Sequence, residues 1–336
     1  MTMASPVSIN PLTWVKNPNA RTTTSSAAVN KIFPDGIFEQ ARNFHRQIPG
    51  YQISPLKNLS NLAAMIGVGG LWVKDESARL DLRSFKVLGG SFAIYRFIKS
   101  KLGLDDAELS FTELMSQPVR TQVRSLTFAA ATDGNHGRGV AWAANKLGCQ
   151  AIIYVHKETS QARIKAIESN GAKVVVVNGT YDDADQPISV VVEPTNAACL
   201  FESVRMGDGQ PHTVDGGLQT IMAGLACGEP SAIAWKILWD CADMFLACPD
   251  YVAAKGMRVY AVPLKGDPFI VSGESGAVTL GALMYAAEFP EFAPLREILQ
   301  LDRDSQVLLI NSEGNTDPDY FRRIVWEGVQ PVPEIY

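Results

Sequence analysis

Ser84-Phe85-Lys86-Val87-Leu88-Gly89-Gly90-Ser91 sets a lysine at the opening of a helix, shortly after a strand and a loop. The strand is Leu71-Trp-Val-Lys74, and the helix is expected from Val87 to Leu102, closed by Gly103. A helix amino terminus carries a partial positive charge. That charge and burial both disfavour the ammonium form, leaving a nucleophilic amine. Such a lysine suits Schiff-base chemistry. A surface lysine at a helix start accounts for the eight residues equally well.

Downstream, Ala131-Thr-Asp-Gly-Asn-His-Gly-Arg-Gly139 ends a strand expected from Leu126 to Ala131 and opens a helix that stops at Gly148. Ligands of open α/β sheets bind at such carboxyl ends. Gly134 and Gly137 permit close backbone approach, and Asn135 can donate a hydrogen bond to a ring oxygen. A glycine-rich turn capped by Asp133 is the plainer reading. The two motifs together favour a site for pyridoxal phosphate.

Further out, the chain alternates short apolar runs with helical stretches, the rhythm of a parallel sheet. Strands are expected at Gln150–His156, Lys173–Val177, Ile188–Glu193 and Val307–Ile310, and a helix over Ser160–Ser169 with Ser160 as its N-cap. Longer helices are expected from Leu218 to Ala226 and from Ala232 to Leu246, and a last one runs through Trp326. Between Tyr181-Asp-Asp183 and the strand at Ile188 there is almost no chain, although a parallel crossover needs a dozen or more residues.

The 336 residues suffice for one large or two medium α/β domains. A net charge of −5 gives no electrostatic footprint for nucleic acid or an anionic membrane, and no apolar run is long enough to span one. The five cysteines lack C-x-x-C spacing and read as buried or free thiols of a reducing compartment. The four histidines form no metal-binding pair. The acid-poor arm around Arg21-Thr-Thr-Thr-Ser-Ser26 is read as an extended strap on a domain surface; a transit peptide is the alternative.

Ser-Phe-Lys followed by Gly-Asn-His-Gly resembles fold-type II pyridoxal-phosphate enzymes such as threonine dehydratase, cysteine synthase and serine racemase. Longer phrases make the chain similar to the diaminopropionate ammonia-lyases. They are Val73-Lys-Asp-Glu-Ser77, Ile221-Met-Ala-Gly-Leu-Ala-Cys-Gly-Glu-Pro230, Ser272-Gly-Glu-Ser-Gly-Ala277, Ser312-Glu-Gly-Asn-Thr-Asp317 and Val325-Trp-Glu-Gly328. The resemblance covers the chain from about Phe38 to Gly328.

The resemblance implies an α/β fold of the tryptophan synthase β-like kind, with two lobes, each a mostly parallel sheet flanked by helices. It implies an arm over 1–34, a large domain of 35–92 and 186–336, and a small domain of 93–185. Lys86 matches the Schiff-base lysine and Asn135 the contact to the cofactor's phenolic oxygen. Asp133 matches the base toward a D-substrate, with Lys86 serving the L-isomer. Ser312 is the expected partner of the pyridine nitrogen, with Asn311 as fallback. Phe85, Gly134, His136, Glu274 and Ser275 are expected around the cofactor. The implied reaction is α,β-elimination of 2,3-diaminopropionate to pyruvate and ammonia, in a cytoplasmic homodimer. A threonine or serine dehydratase-like lyase is the alternative.

One departure matters. The family's phosphate-binding loop, of Gly-Val-Gly-x-Met-Ala-Gly type, and an Asp-Thr-x-Trp-Glu-Gly stretch before it should lie between Val177 and Ile188. Neither is there, which implies an internal deletion near Asp185 to Pro187. A truncated, catalytically impaired relative is therefore a second expectation.

Overall fold

The computed structural model describes residues 11–20, 33, 36–105, 109–132, 134–156, 160–177 and 188–333. The strands are β1 (Thr13–Lys16), β2 (Leu56–Asn58), β3 (Gly70–Asp75), β4 (Thr127–Thr132), β5 (Gln150–His156), β6 (Lys173–Val177), β7 (Val190–Pro194), β8 (Met244–Cys248) and β9 (Gln306–Asn311). The helices that position the site are α1 (Ile37–Gln47), α2 (Ser60–Ile66), α3 (Lys86–Lys101), α4 (Phe111–Leu114), α5 (Gln117–Val123), α6 (Asn135–Leu147), α7 (Gln161–Glu168) and α8 (Cys199–Met206). They continue with α9 (Ala232–Cys241), α10 (Asp250–Ala261), α11 (Glu274–Glu288), α12 (Ala293–Ile298) and α13 (Pro318–Val325).

Three sheets result: β4-β5-β6, β2-β3-β9 and β1-β8-β7. The first is all parallel, with Ala129 opposite Ile152 and Ile153 opposite Val174. Its core is built on the buried Ile153 and Val155 and on Ala141, Ala144 and Leu147 of α6. Phe44 and Ile48, of α1 and just beyond it, join that core. The other two sheets are mixed. β3 pairs parallel with β9 and antiparallel with β2, while β8 pairs parallel with β7 and antiparallel with β1.

Most element boundaries fall within one or two residues of expectation, since caps are legible in sequence. Ser160 accepts from the Arg163 N–H at the start of α7, and Gly148 ends α6 at φ 78°.

Three expectations fail. The stretch Leu218–Ala226 is not a helix; only a short 3-10 turn forms at Ala223–Leu225, and Leu218 sits at φ 47°. Tertiary partners hold it open. Asp250 accepts from the Thr220 hydroxyl and the Ile221 N–H, and Ser275 Oγ accepts from the Gly224 N–H. The expected helix Ala232–Leu246 stops at Cys241, and Met244–Cys248 instead forms β8, fully buried in the centre of its sheet. A continuous apolar run carries no period that separates helix from buried strand. Finally, β6 and β7 lie in different sheets, so the crossover rule does not govern their connection. Asp185–Pro187 fall outside the described residues.

The arm is more than a strap. Thr13–Lys16 pair in register with Ala247–Met244 as the outer strand of a sheet.

Candidate active site

The loop that delivers Lys86 is held in an unfavourable backbone. Leu80, Asp81 and Arg83 all have positive φ, at 47°, 59° and 57°. Such left-handed residues cost roughly 1–2 kcal/mol each unless other contacts fix them. The contacts are present. Glu76, inside the Lys-Asp-Glu-Ser phrase, takes Arg79 Nε at 2.7 Å and the Ser54 hydroxyl at 2.5 Å. Arg83 donates to the Asn315 carbonyl, Arg138 to the Leu82 carbonyl, and the Gly314 N–H to the Arg83 carbonyl.

Lys86 is then the first residue of α3 and half-buried, with Phe85 exposed beside it. Its backbone N–H donates to Ser84 Oγ at 3.4 Å. Ser84 pairs with Glu313 in an isolated antiparallel bridge, and the Phe85 N–H reaches the Ser312 carbonyl. The lysine turn thus rests directly on the loop after β9. The α6 helix packs equally close. A Cβ on Gly139 would come within 2.8 Å of Val87 Cα and 3.2 Å of Lys86 C. That contact brings the two sequence motifs side by side.

Glu313 joins these pieces, and sequence reading passed over it. It is 2% exposed and accepts from the Asn135 side-chain amide and, at 3.0 Å, from the Ser275 N–H. A carboxylate only accepts, so it fixes which end of the Asn135 amide faces it and leaves that nitrogen a second hydrogen to donate. It also places an anion at the amino terminus of α11, where the helix dipole favours one. The anion-holding capacity of Ser272–Gly281 is therefore used internally. The available signal was Glu313's place inside Ser312–Asp317.

Glu274, the first residue of α11, is 3% exposed and lies 3.5 Å from an Arg163 guanidinium nitrogen. Burial pushes its carboxyl up to about 7; Arg163 opposes the rise and Glu313 adds to it. Arg163 belongs to α7, and its stem lies over Gly134, where a Cβ would come within 3.2 Å of it. Gly134, at φ 139°, has the backbone and the space that only glycine fills without strain. This pair ties the β4–β6 unit to α11.

Lys86, Asn135, Gly134, Glu274, Ser275 and the Ser312 loop are thus brought into one region through Glu313, Arg163 and Gly139. His136 is half-buried in the first turn of α6. Asp133 lies outside the described residues. Asn311 is fully buried and committed elsewhere, donating to Asp75 and the Val271 carbonyl and accepting from the Ser272 hydroxyl. Ser312 is half-buried. An open cleft of about 690 Å³, lined by Asn196, Glu202, His212, Asp215 and Gln219 among others, contains none of the expected site residues.

An amine at a helix amino terminus, a fixed amide donor and glycine-lined backbone suit the ring end of pyridoxal phosphate. Residues 48–189 match the family described as pyridoxal-phosphate dependent enzyme. Fold and site together define a pyridoxal-phosphate-dependent enzyme of fold type II. A diaminopropionate ammonia-lyase of Salmonella typhimurium is 36% identical over 384 aligned positions, covering 90% of this chain and 95% of that protein. The chain belongs to the diaminopropionate ammonia-lyase family. The crystal structure of holo diaminopropionate ammonia lyase from Escherichia coli superposes with a TM-score of 0.83 at 34% identity, covering 96% of this chain and 98% of that one. The same E. coli enzyme in complex with D-serine gives 0.81 at 33% identity, with the same coverage.

Proposed function

We propose that this site is built for α,β-elimination of 2,3-diaminopropionate, releasing ammonia and leaving pyruvate. The observation that carries the reading is the meeting of Lys86, Asn135 and the Ser312 loop around Glu313, in a chain 36% identical to a named ammonia-lyase. Bound pyridoxal phosphate supplies an electron sink for the substrate's α-carbon. Lys86 holds the cofactor and takes the α-proton of the L-isomer; Asp133 takes it from the D-isomer. With the cofactor bound, Asn135 would donate to its ring oxygen and Ser312 would be the partner of its pyridine nitrogen, a choice supported by the other commitments of Asn311. Phe85, Gly134, His136, Glu274 and Ser275 would help to hold it.

The proposal includes a segment that this chain lacks between β6 and β7, the one carrying the phosphate-binding loop. In support, the Salmonella alignment spans 384 positions, more than the chain's 336 residues, while taking in only 90% of them. The division into an arm (1–34), a large domain (35–92 and 186–336) and a small domain (93–185) is part of the same reading. The all-parallel sheet falls within the last of these. So are a homodimeric state and a cytoplasmic setting. No helix among the described residues is long and apolar enough to cross a membrane.

The test is to graft the relatives' segment between Asp185 and Pro187 and assay pyruvate from D- and L-diaminopropionate. The grafted chain should turn over both. Asp133→Asn should then suppress the D-isomer far more, since removing a general base costs about 10²–10⁴ in rate. Equal losses for both isomers, mainly in KM, would leave Asp133 a binding residue only. No turnover by the grafted chain would remove the lyase reading.

A further inference from the structure

Glu313 sits where separate segments of the chain meet. Its Oε2 takes the Asn135 side-chain amide of α6, and its Oε1 takes the Ser275 N–H of α11 at 3.0 Å. Its backbone carbonyl accepts from the Gly273 N–H at 3.1 Å, and it bridges to Ser84, which precedes Lys86 by two positions. The surrounding backbone is shaped to it. A Cβ on Gly273 would come within 2.8 Å of Glu313 Oε1, and one on Gly276 within 3.0 Å of the Glu313 carbonyl oxygen. Gly273 thus makes room for the carboxylate, and Gly276 for the carbonyl and the Asn311 side chain.

A carboxylate is a costly choice at this place. It is almost fully buried, and its charge adds to the rise of the Glu274 carboxyl beside it. A glutamine has the same length and could bond both side-chain partners. The difference lies in polarity. The Ser275 N–H is a fixed backbone donor, so a glutamine would commit its oxygen there and turn its NH2 toward Asn135. Asn135 would then have to answer with its carbonyl oxygen. A carboxylate has only acceptors to offer and forces the opposite orientation. Asn135 is itself buried, so its amide takes its direction from such partners rather than from water.

We infer that Glu313 is a positioning residue for the proposed reaction: its carboxylate sets the polarity of the Asn135 amide, so that a hydrogen-bond donor rather than an acceptor is delivered to the ring oxygen of pyridoxal phosphate. The inference rests on the proposed place of Asn135 at that oxygen. A donor there favours the anionic form of the oxygen, and an acceptor opposes it. Glu313 acts through Asn135, and the role of Lys86 is unchanged.

The test compares pyridoxal phosphate with 3-deoxypyridoxal phosphate, which lacks the ring oxygen. Each is titrated into the full chain, its bond to lysine is fixed with borohydride, and the label on Lys86 is quantified by peptide mapping. The ratio of the two half-saturating concentrations is taken relative to the same ratio on Nα-acetyl-lysine. What is left is the protein's own contribution at the ring oxygen. The parent chain should prefer pyridoxal phosphate. Glu313→Gln should lose about tenfold of that preference, the equivalent of one hydrogen bond, while its labelling by the deoxy compound stays unchanged. Equal weakening with both compounds would make Glu313 a structural support only and overturn the inference. Absence of any preference in the parent overturns it as well, and that comparison stands whether or not Glu313→Gln folds. Both of these outcomes leave Lys86 labelled. Failure of the cofactor reading would instead leave Lys86 unlabelled by either compound, and the inference would fall with it.

Discussion

At Lys86 the chemistry depends on where a helix begins. The residue follows three positions of left-handed backbone, so its placement is maintained by Glu76, Arg79 and the Gly314 turn rather than by local preference. If this lysine is the cofactor's anchor, borohydride reduction of protein incubated with pyridoxal phosphate should leave the pyridoxyl group on Lys86. Peptide mapping that finds it on Lys74 or Lys101 instead would show the motif to be misread. Glu274 makes a second prediction at this scale. Its carboxyl is raised from 4.5 to about 7, so the folded chain holds that proton more firmly than the unfolded chain does. Its contribution is fully present below about pH 4.5, declines as pH rises toward 7 and is level beyond. Glu274→Gln should therefore gain in urea midpoint relative to the parent across that interval. A difference independent of pH would refute the assignment.

Among the elements, the contact of α3 with α6 decides whether the lysine and the Asn135 turn meet. Gly139 allows it, and at Gly90 a Cβ would come within 3.2 Å of a Val140 methyl in the same way. Gly139→Ala places a methyl against the Lys86–Val87 backbone and should cost about 1–3 kcal/mol in denaturant unfolding. The more telling effect is displacement of Lys86, read as reduced pyridoxyl labelling under conditions where the variant remains folded. Undiminished labelling would show that the helix crossing does not position the amine. The elements themselves were unevenly legible. Ser160, Gly148 and the alternation around β4 to β6 announce their structures through local caps and periods. Met244–Cys248 does not, because five consecutive buried residues satisfy a strand and a buried helix equally. Leu218–Ala226 looks helical by composition, yet Asp250 and Ser275 claim its backbone donors.

For the whole molecule, the consequence of the proposed missing segment is weak cofactor retention. Charge-assisted hydrogen bonds to a phosphate are worth roughly 1.5–3 kcal/mol each. Losing two would raise the concentration for half-saturation by about 100-fold or more. Absorbance titration with pyridoxal phosphate should show that gap between the present chain and the grafted one. Stoichiometric uptake at micromolar cofactor by the present chain would contradict it.

By itself the sequence determined the family, the lysine and asparagine turns and the α/β class, because these rest on contiguous residues: a cap, a glycine turn, an apolar period. The proposal that a stretch expected between Val177 and Ile188 is missing also comes from the sequence alone. Only the tertiary structure decided that Glu313 fastens Asn135 to α11, that Asn311 is spent on Asp75, and that Arg163 reaches Glu274 from another unit. It also decided that β6 and β7 lie in different sheets. These partners are 38 to 236 residues apart in the chain. A buried polar group takes whichever donor or acceptor the packed fold brings to it, and that choice is made in three dimensions, after the local pattern has been fixed.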